Sequence, residues 1–259
     1  MKLSKSLGQV FLKDANYIHK IVSNLDISGE DVLEIGPGVG QISVYIVELA
    51  NKLYCIELDG RFVATLKEKF KNNAKVEVIH NDILEFRLSQ LDRNMVIFGN
   101  VPYNISNPLI KYLVENREYI KRAYLTFQKE FVDKLTAVVS TKPYSFLSCY
   151  IQYYAKVIKI FDIPAKAFSP VPEVDSSFIK IEFYKQPIHK AQNEAFLFKI
   201  IRQAFSQRRK KIINSLPLSL DKHLFFNSLN INLNSRPENL SLQEYVAIAD
   251  RIAYNTNAT

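Results

Sequence analysis

Only two cysteines, Cys55 and Cys149, occur in 259 residues, far apart and with no CxxC pair. That scarcity excludes a disulfide framework and fits a reducing cytosol. The four histidines, His19, His80, His189 and His223, share no ligand spacing with one another or with cysteine, so no metal is expected. Long hydrophobic runs are missing as well. The opening MKLSKSLGQVFLKD has no continuous apolar stretch of the signal-peptide kind, and the longest charge-free apolar-rich run, Pro143 to Ala155, is too short to span a bilayer. A soluble, cytoplasmic protein with no membrane partner is therefore expected. Internal repeats and low-complexity tracts are also lacking.

What is present is enough apolar material, 47% of the chain, for one substantial α/β core and a smaller appendage. The formal net charge is +8, and residues 185–259 hold +6 of it, with 11 Lys/Arg against 5 Asp/Glu. Such a basic end points to a polyanionic partner.

Periodicity supplies the organisation. From Asp14, placed as a cap, Tyr17, Ile18, Ile21, Val22 and Leu25 repeat at helical spacing. DVLEI, KLYCIE, VEVIH, MVIFG and AYLTF are compact apolar runs separated by helical segments such as Gln41 to Ala50 and Phe62 to Phe70, the alternation of a parallel sheet flanked by helices. AKVIKIF and SSFIKIEF, after a helical stretch beyond Phe131, extend that sheet at its far edge. A polar linker from Gln186 to Asn193 precedes four helical stretches, with breaks at Pro217 and Pro237. The expected division is a domain over residues 1–184, beginning with a basic segment, and a small all-helical domain over 185–259.

The first strand runs into Glu34-Ile35-Gly36-Pro37-Gly38-Val39-Gly40. Open parallel sheets take ligands beyond the carboxyl ends of their strands, and glycines such as Gly36 and Gly38 allow close approach to the backbone. The spacing is GxGxG, not the GxGxxG of dinucleotide enzymes. Glu57 ends the second strand, placed to accept from two ribose hydroxyls, and Asp82 follows the third, within reach of an adenine amino group. Each acid also has an ordinary alternative, a solvated strand end for Glu57 and a helix cap for Asp82. A ligand with adenine, ribose and a zwitterionic tail, and no phosphate, describes S-adenosylmethionine.

After the fourth strand comes Asn100-Val101-Pro102-Tyr103-Asn104-Ile105-Ser106. An adenine amino nitrogen is a poor nucleophile because its lone pair is delocalised into the ring. Acceptors such as the Asn100 side chain and the Val101 carbonyl favour a more tetrahedral nitrogen, Pro102 stiffens the loop, and Tyr103 offers a surface for an extruded base. Methylation of a pyrimidine carbon would require a cysteine nucleophile, and Cys55 lies inside the second strand as a core residue.

Taken in order, GQVFL, EIGPGVG, NVPYNIS, FSPVPEVDSS and QRRKKIINSL resemble the ribosomal RNA adenine N6-dimethyltransferase family, in its small-subunit 16S rRNA branch. The resemblance covers nearly the whole chain. It implies a Rossmann-like S-adenosylmethionine-dependent methyltransferase sheet with a helical C-terminal domain. The implied activity is dimethylation of two adjacent adenosines near the 3′ end of 16S rRNA during ribosome biogenesis, in the small subunit or an assembly intermediate. A monomer is expected.

Carried over by motif, the cofactor contacts fall on Val10, Leu12, Gly36, Glu57, Asp82 and Asn100, and Phe168 matches a second aromatic against the flipped base, with a core-plugging role as its alternative. The family's GQNFL or GQHFL reads GQVFL here, so Val10 can contact the cofactor only through its backbone, and NLPY reads NVPY. Arg208, Arg209, Lys210 and Lys211 are assigned to the RNA phosphate backbone, because four consecutive cations repel one another and the stretch from Ala204 to Leu216 offers no acid. A solvated helix end is the alternative there.

Competing functions are the large-subunit adenine dimethyltransferases of macrolide-resistance type and a nonenzymatic RNA-binding assembly factor, which Val10 keeps open. A DNA adenine methyltransferase would ordinarily need a target-recognition domain for which the C-terminal residues leave little room.

Overall fold

The structure, a computed structural model, describes residues 10–91, 93–216 and 221–257. The N-terminal basic segment, with Gly8 and Gln9 of GQVFL, and the expected break at Pro217 lie outside the described residues. The chain runs β1 (Phe11–Leu12), α1 (Ala15–Ser23), β2 (Asp31–Ile35), α2 (Ser43–Leu49), β3 (Lys52–Glu57), α3 (Gly60–Lys69), β4 (Val76–His80), β5 (Met95–Asn100), α4 (Ser106–Glu115), β6 (Ile120–Gln128), α5 (Lys129–Leu135), α6 (Phe146–Tyr154), β7 (Ala155–Ile163), β8 (Phe168–Ser169) and β9 (Ser176–Phe183). The helices α7 (Glu194–Ser206), α8 (Ile212–Ser215), α9 (Lys222–Ser228) and α10 (Leu242–Asn257) follow.

Local chemistry accounts for the first elements. The Asp14 carboxylate accepts from the Asn16 amide at 2.9 Å and caps α1, whose Ile18 and Ile21 turn into the core. In β2 four consecutive residues, Val32 to Ile35, are buried, as a central parallel strand covered on both faces requires. The main sheet has the order β4-β3-β2-β5-β6-β9-β7. The strands from β4 across to β6 pair in parallel, whereas β9 is antiparallel to β6. This is the expected α/β sheet with both late strands at the far edge. From β2 the chain builds outward through β3 and β4, then returns to lay β5 on the other flank. That reversal opens a crevice at the carboxyl ends of β2 and β5, where open α/β sheets bind their ligands.

A second, two-stranded sheet went unread in the sequence. Its β1 pairs antiparallel with β8, Leu12 opposite Phe168, and the Lys13 amide adds a bond to the Ala167 carbonyl at 2.9 Å. Phe168 is 0% exposed and belongs to the hydrophobic cluster that holds Leu12, Ile163 and Phe178. The expectation that it stacks on a flipped base is therefore corrected: its ring fills the core and presents no face to a base.

The chain forms two compact units that do not follow a single cut. One takes the described residues up to Val132 together with Val157–Phe183, the other Asp133–Lys156 together with the described residues from Tyr184 onward. The continuous division at 184/185 assigns 133–156 differently. The reason is aromatic: Phe198 of α7 lies against Phe146, Tyr150, Tyr153 and Tyr154 of α6, and the Tyr153 and Tyr154 hydroxyls donate to Glu194 at 3.2 and 2.7 Å. In the same unit α10 starts with a reciprocal cap, Ser241 N–H to Glu244 at 2.7 Å and Glu244 N–H to Ser241 Oγ at 3.2 Å. No helix among the described residues is long and apolar enough to cross a membrane.

Removing a fully buried ring leaves a cavity, so Phe168→Ala should lower stability by about 3 to 5 kcal/mol. Urea unfolding checks this, and a variant as stable as the parent would return Phe168 to the base-binding side.

Candidate active site

The glycine loop between β2 and α2 is held by three separate elements. Gly36, Gly38 and Gly40 have φ of 62°, 57° and 73°, a left-handed path that excludes ordinary side chains. The Gly36 amide donates to the Ile56 carbonyl at 2.9 Å. A Cβ on Gly38 would come within 2.4 Å of the Phe11 ring, which also meets Phe62 edge to face at 5.5 Å. From α3, the Lys69 ammonium donates to the Val39 and Gly40 carbonyls at 2.5 and 3.4 Å.

Glu57 ties this loop to β3. Its Oε2 accepts from the Gly38 amide and its Oε1 from the Asp59 amide, both at 2.9 Å. Burial pushes the Glu57 carboxyl upward and the two amide bonds oppose that shift. Each carboxylate oxygen has a second lone pair, so the side chain can accept two further hydrogen bonds while holding the loop. It is not the solvated strand end that was its alternative. Asp82 is half-buried after β4, and its Oδ1 accepts from Leu84 N–H at 2.9 Å. The Glu85 and Phe86 amides close on its carbonyl at 3.1 and 3.0 Å. No helix follows Asp82 directly, so these bonds close a turn and not the helix cap of the alternative, and Asp82 lines the same cleft as Gly36, Gly38, Glu57 and Asn100.

At the end of β5, Asn100 Nδ2 donates to the Val10 carbonyl at 3.2 Å. A carbonyl can only accept, so this contact fixes which way the amide faces and leaves Oδ1 for another donor. Position 10 acts here through its main chain, which a valine supplies as well as a polar residue would. Val10 and Leu12 both line the cleft. Val101 is buried, its amide donating to the Thr126 carbonyl at 3.3 Å. Tyr103, half-buried, is fixed by a 2.9 Å hydrogen bond between its hydroxyl and Ser176 Oγ. Of these loop residues Asn100, Pro102, Asn104 and Ile105 line the cleft, while Val101 and Tyr103 stand just beyond it. The Cys55 thiol is buried and pushed far up by its surroundings, so it is a core group and no nucleophile.

Glu34 is a further cleft acid beyond those the motifs mark. Its side chain is 3% exposed, lines the cleft, and has no hydrogen-bond partner for Oε2 among the described residues. A signal was available: it is an acid inside the run Val32 to Ile35, which is otherwise apolar and buried throughout. Ser176 and Lys69 carried no such mark, because each acts across a long stretch of chain.

The basic run lies in the other unit, in the turn after α7. Arg208 is not a free cation: Nε donates to Glu238 at 2.9 Å and Nη2 to the Lys142 carbonyl at 2.6 Å. The stretch from Ala204 to Leu216 does lack an acid, as its sequence shows, but Arg208 finds one thirty residues on, so this cation is engaged within the protein. Lys211 donates to Asn234 at 2.6 Å, and Arg209, Lys210 and Lys211 are exposed. Among the described residues no cluster of three or more His, Cys, Asp or Glu could hold a metal ion.

Known proteins match this chain along its length. A sequence model of the family "Ribosomal RNA adenine dimethylase" matches residues 1–254. The chain is 40% identical to "Ribosomal RNA small subunit methyltransferase A" of Desulforapulum autotrophicum, covering 96% of this chain and 91% of that protein. It is 35% identical to the protein of the same name from Vibrio atlanticus, over 99% and 96%. Among solved structures, a dimethyladenosine transferase from Plasmodium falciparum superposes with a TM-score of 0.80 at 25% identity, over 96% of this chain and 98% of that one. The 23S rRNA methyltransferase ErmE superposes with a TM-score of 0.76 at 20% identity, over 94% and 99%, a likeness of fold. With its whole sheet and its strand-end motifs matched in this way, the chain belongs to the ribosomal RNA adenine dimethylase family.

Proposed function

We propose that this chain is the small-subunit enzyme of its family, transferring methyl groups from S-adenosylmethionine to the amino groups of two adjacent adenosines near the 3′ end of 16S rRNA. The observation that carries this is the order of side chains along the crevice. Asp82, Glu57, the glycine loop with Glu34, and Asn100 stand at the ends of β4, β3, β2 and β5, neighbours in the sheet. An adenine amino group, two ribose hydroxyls and a cationic tail fit those positions in that sequence. The cleft offers acceptors, including the unpartnered buried Glu34 Oε2, and among the described residues its lining includes neither Lys nor Arg, which suits a cofactor without phosphate. When bound, that cofactor supplies an electrophilic methyl group.

The protein's own contribution is to ready the amine. The Val10 carbonyl orients the Asn100 amide, so Oδ1 and the Val101 carbonyl can accept both N–H groups of the adenine amine and localise its lone pair. Tyr103, fixed through Ser176, supports the base by stacking. No strong base is required, because the methylated nitrogen loses its proton to water. The large-subunit alternative has a likeness of fold to support it, whereas relatives named for the small subunit match at 33 to 40% identity. A nonenzymatic role loses its main support once position 10 acts through its backbone.

Incubation with undermethylated small subunits should yield N6,N6-dimethyladenosine at adjacent positions by mass spectrometry of the RNA, and product on large subunits alone would favour the other branch. Asn100→Ala at saturating cofactor should slow single-turnover transfer by roughly 10²-fold or more, by analogy with losing one preorganised polar group at a reacting centre. Near-normal transfer would remove Asn100 from the chemistry.

Exposed Arg209 and Lys210 are the better candidates for phosphate contact than Arg208. Replacing both with Ala should flatten the salt dependence of small-subunit binding by up to about 1.8 units of log–log slope, at roughly 0.7 to 0.9 per neutralised phosphate. An unchanged slope would make this turn a solvated surface. Arg208→Ala should instead lower stability, because it strips Glu238 and the Lys142 carbonyl of their partner.

A further inference from the structure

Burial of Phe168 removes the aromatic contact expected of FSPVPEVDSS, but the rest of that segment stands in the open. From Ser169 to Asp175 every residue except Pro172 is exposed, and the two apolar side chains among them are Val171, 61% exposed, and Val174, 45% exposed. Apolar residues scattered singly over a surface are ordinary. The setting of these two is not.

Both ends of the loop stand on the crevice. Ser169 pairs with Phe11 in the β8–β1 ladder, and the Phe11 ring lines the cleft against Gly38. At the other end Ser176 is buried, and its hydroxyl shares a 2.9 Å hydrogen bond with the Tyr103 hydroxyl. The Asp175 carbonyl accepts from the Lys129 amide and its carboxylate from the Ala165 amide, both at 2.9 Å. Pro170 and Pro172 each fix a backbone torsion. The valines are therefore held in one place while much of their surface stays in water, so little ordering remains to be done when a partner arrives.

The charges beside them indicate what that partner is. Glu173 and Asp175 flank Val174 and are exposed, and no Lys or Arg occurs from Ser169 to Ser177. Such a loop repels phosphate. The part of an RNA that suits it is the apolar face of a base. On the adenine-methylation reading, which this inference rests on, the target adenine enters the cleft only after leaving its stack, and its departure opens a gap between its former neighbours. Proteins that unstack bases fill such gaps with apolar side chains.

We propose that Val171, with Val174 beside it, is an apolar wedge that enters the gap left by the target adenosine and keeps the base turned toward Asn100 and Tyr103. Because one end of the loop is bonded to Tyr103, the wedge and the base surface keep a fixed spacing. The wedge acts once the RNA is docked, so it governs the transfer step more than affinity. It carries no charge, so its contribution does not depend on salt.

Single-turnover methyl transfer to undermethylated small subunits at saturating S-adenosylmethionine, together with filter binding across a salt series, tests this. Val171→Ser, alone and with Val174→Ser, should slow transfer by roughly 10- to 100-fold, as expected when support for an unstacked base is lost. Small-subunit affinity and its salt slope should barely change. Val171→Ile should transfer at the parent's rate, and Val171→Lys should be as slow as the Ser variant. Unchanged affinity for S-adenosylhomocysteine by calorimetry and an unchanged urea midpoint would show that the exposed substitutions leave the fold and cleft intact. Should the double variant fail to fold, the three single substitutions at Val171 decide. A parental transfer rate in the Ser variants would overturn the proposal. So would weaker binding with normal transfer at saturation, which would make the loop a docking contact only, or tighter binding with a steeper salt slope in Val171→Lys, which would place a phosphate there. Failure of the parent itself on small subunits would overturn the reading beneath the wedge as well, whereas failure of the wedge alone leaves parental transfer intact.

Discussion

The join between the glycine loop and the sheet depends on the Glu57 carboxylate accepting from the amides of Gly38 and Asp59. That single side chain joins the glycine loop after β2 to the turn after β3, and it does so with one lone pair on each oxygen. The loop can follow its left-handed path only with glycines at 36, 38 and 40, and such a path has little rigidity of its own. Glu57 and Lys69 supply the rigidity from either side. A group that binds the loop and keeps acceptor capacity would, on the proposed function, make structure and recognition inseparable. Loss of Glu57 therefore removes both.

The N-terminal strand adds the second constraint. Phe11 occupies the space that a side chain at Gly38 would need, Leu12 is anchored opposite the buried Phe168, and the Val10 carbonyl turns the Asn100 amide. Three successive residues thus touch the glycine loop, the core and the Asn100 end of the crevice. Two of these contacts depend on backbone or on aromatic bulk. A departure at the side chain of position 10 is consequently compatible with the chemistry, although the motif alone made it look like a lost contact.

Much of this could be read in the chain. The five parallel strands stand where their apolar runs are, because strands covered on both faces leave little choice of register or extent, and the strand-end acids Glu57 and Asp82 fall in the cleft. What escaped had physical reasons. The two-residue strand β1 has no period to detect, and α4 follows directly on NVPYNI, whose Pro and Asn residues mark a turn. Phe168 sits in a loop motif, but its ring is drawn into the core by Leu12 and Phe178. Arg208 was judged by its neighbours in sequence, whereas Glu238 reaches it from a distant turn. The packing of α6 with α7 depends on aromatic contacts between segments that strands β7, β8 and β9 separate in the chain. Glu34 was hidden inside a motif valued for its glycines.

On the proposed function, neighbouring strand ends lay one adenosyl ligand across the sheet in a fixed direction, adenine toward β4 and tail toward β2 and β5. A crystal structure of the protein with S-adenosylhomocysteine tests it most directly. The predicted result has the adenine amino group on Asp82, the ribose hydroxyls on Glu57 within hydrogen-bonding distance, and the amino-acid tail between Glu34 and Asn100. A nucleoside bound in the reverse direction, or outside this crevice, would contradict it.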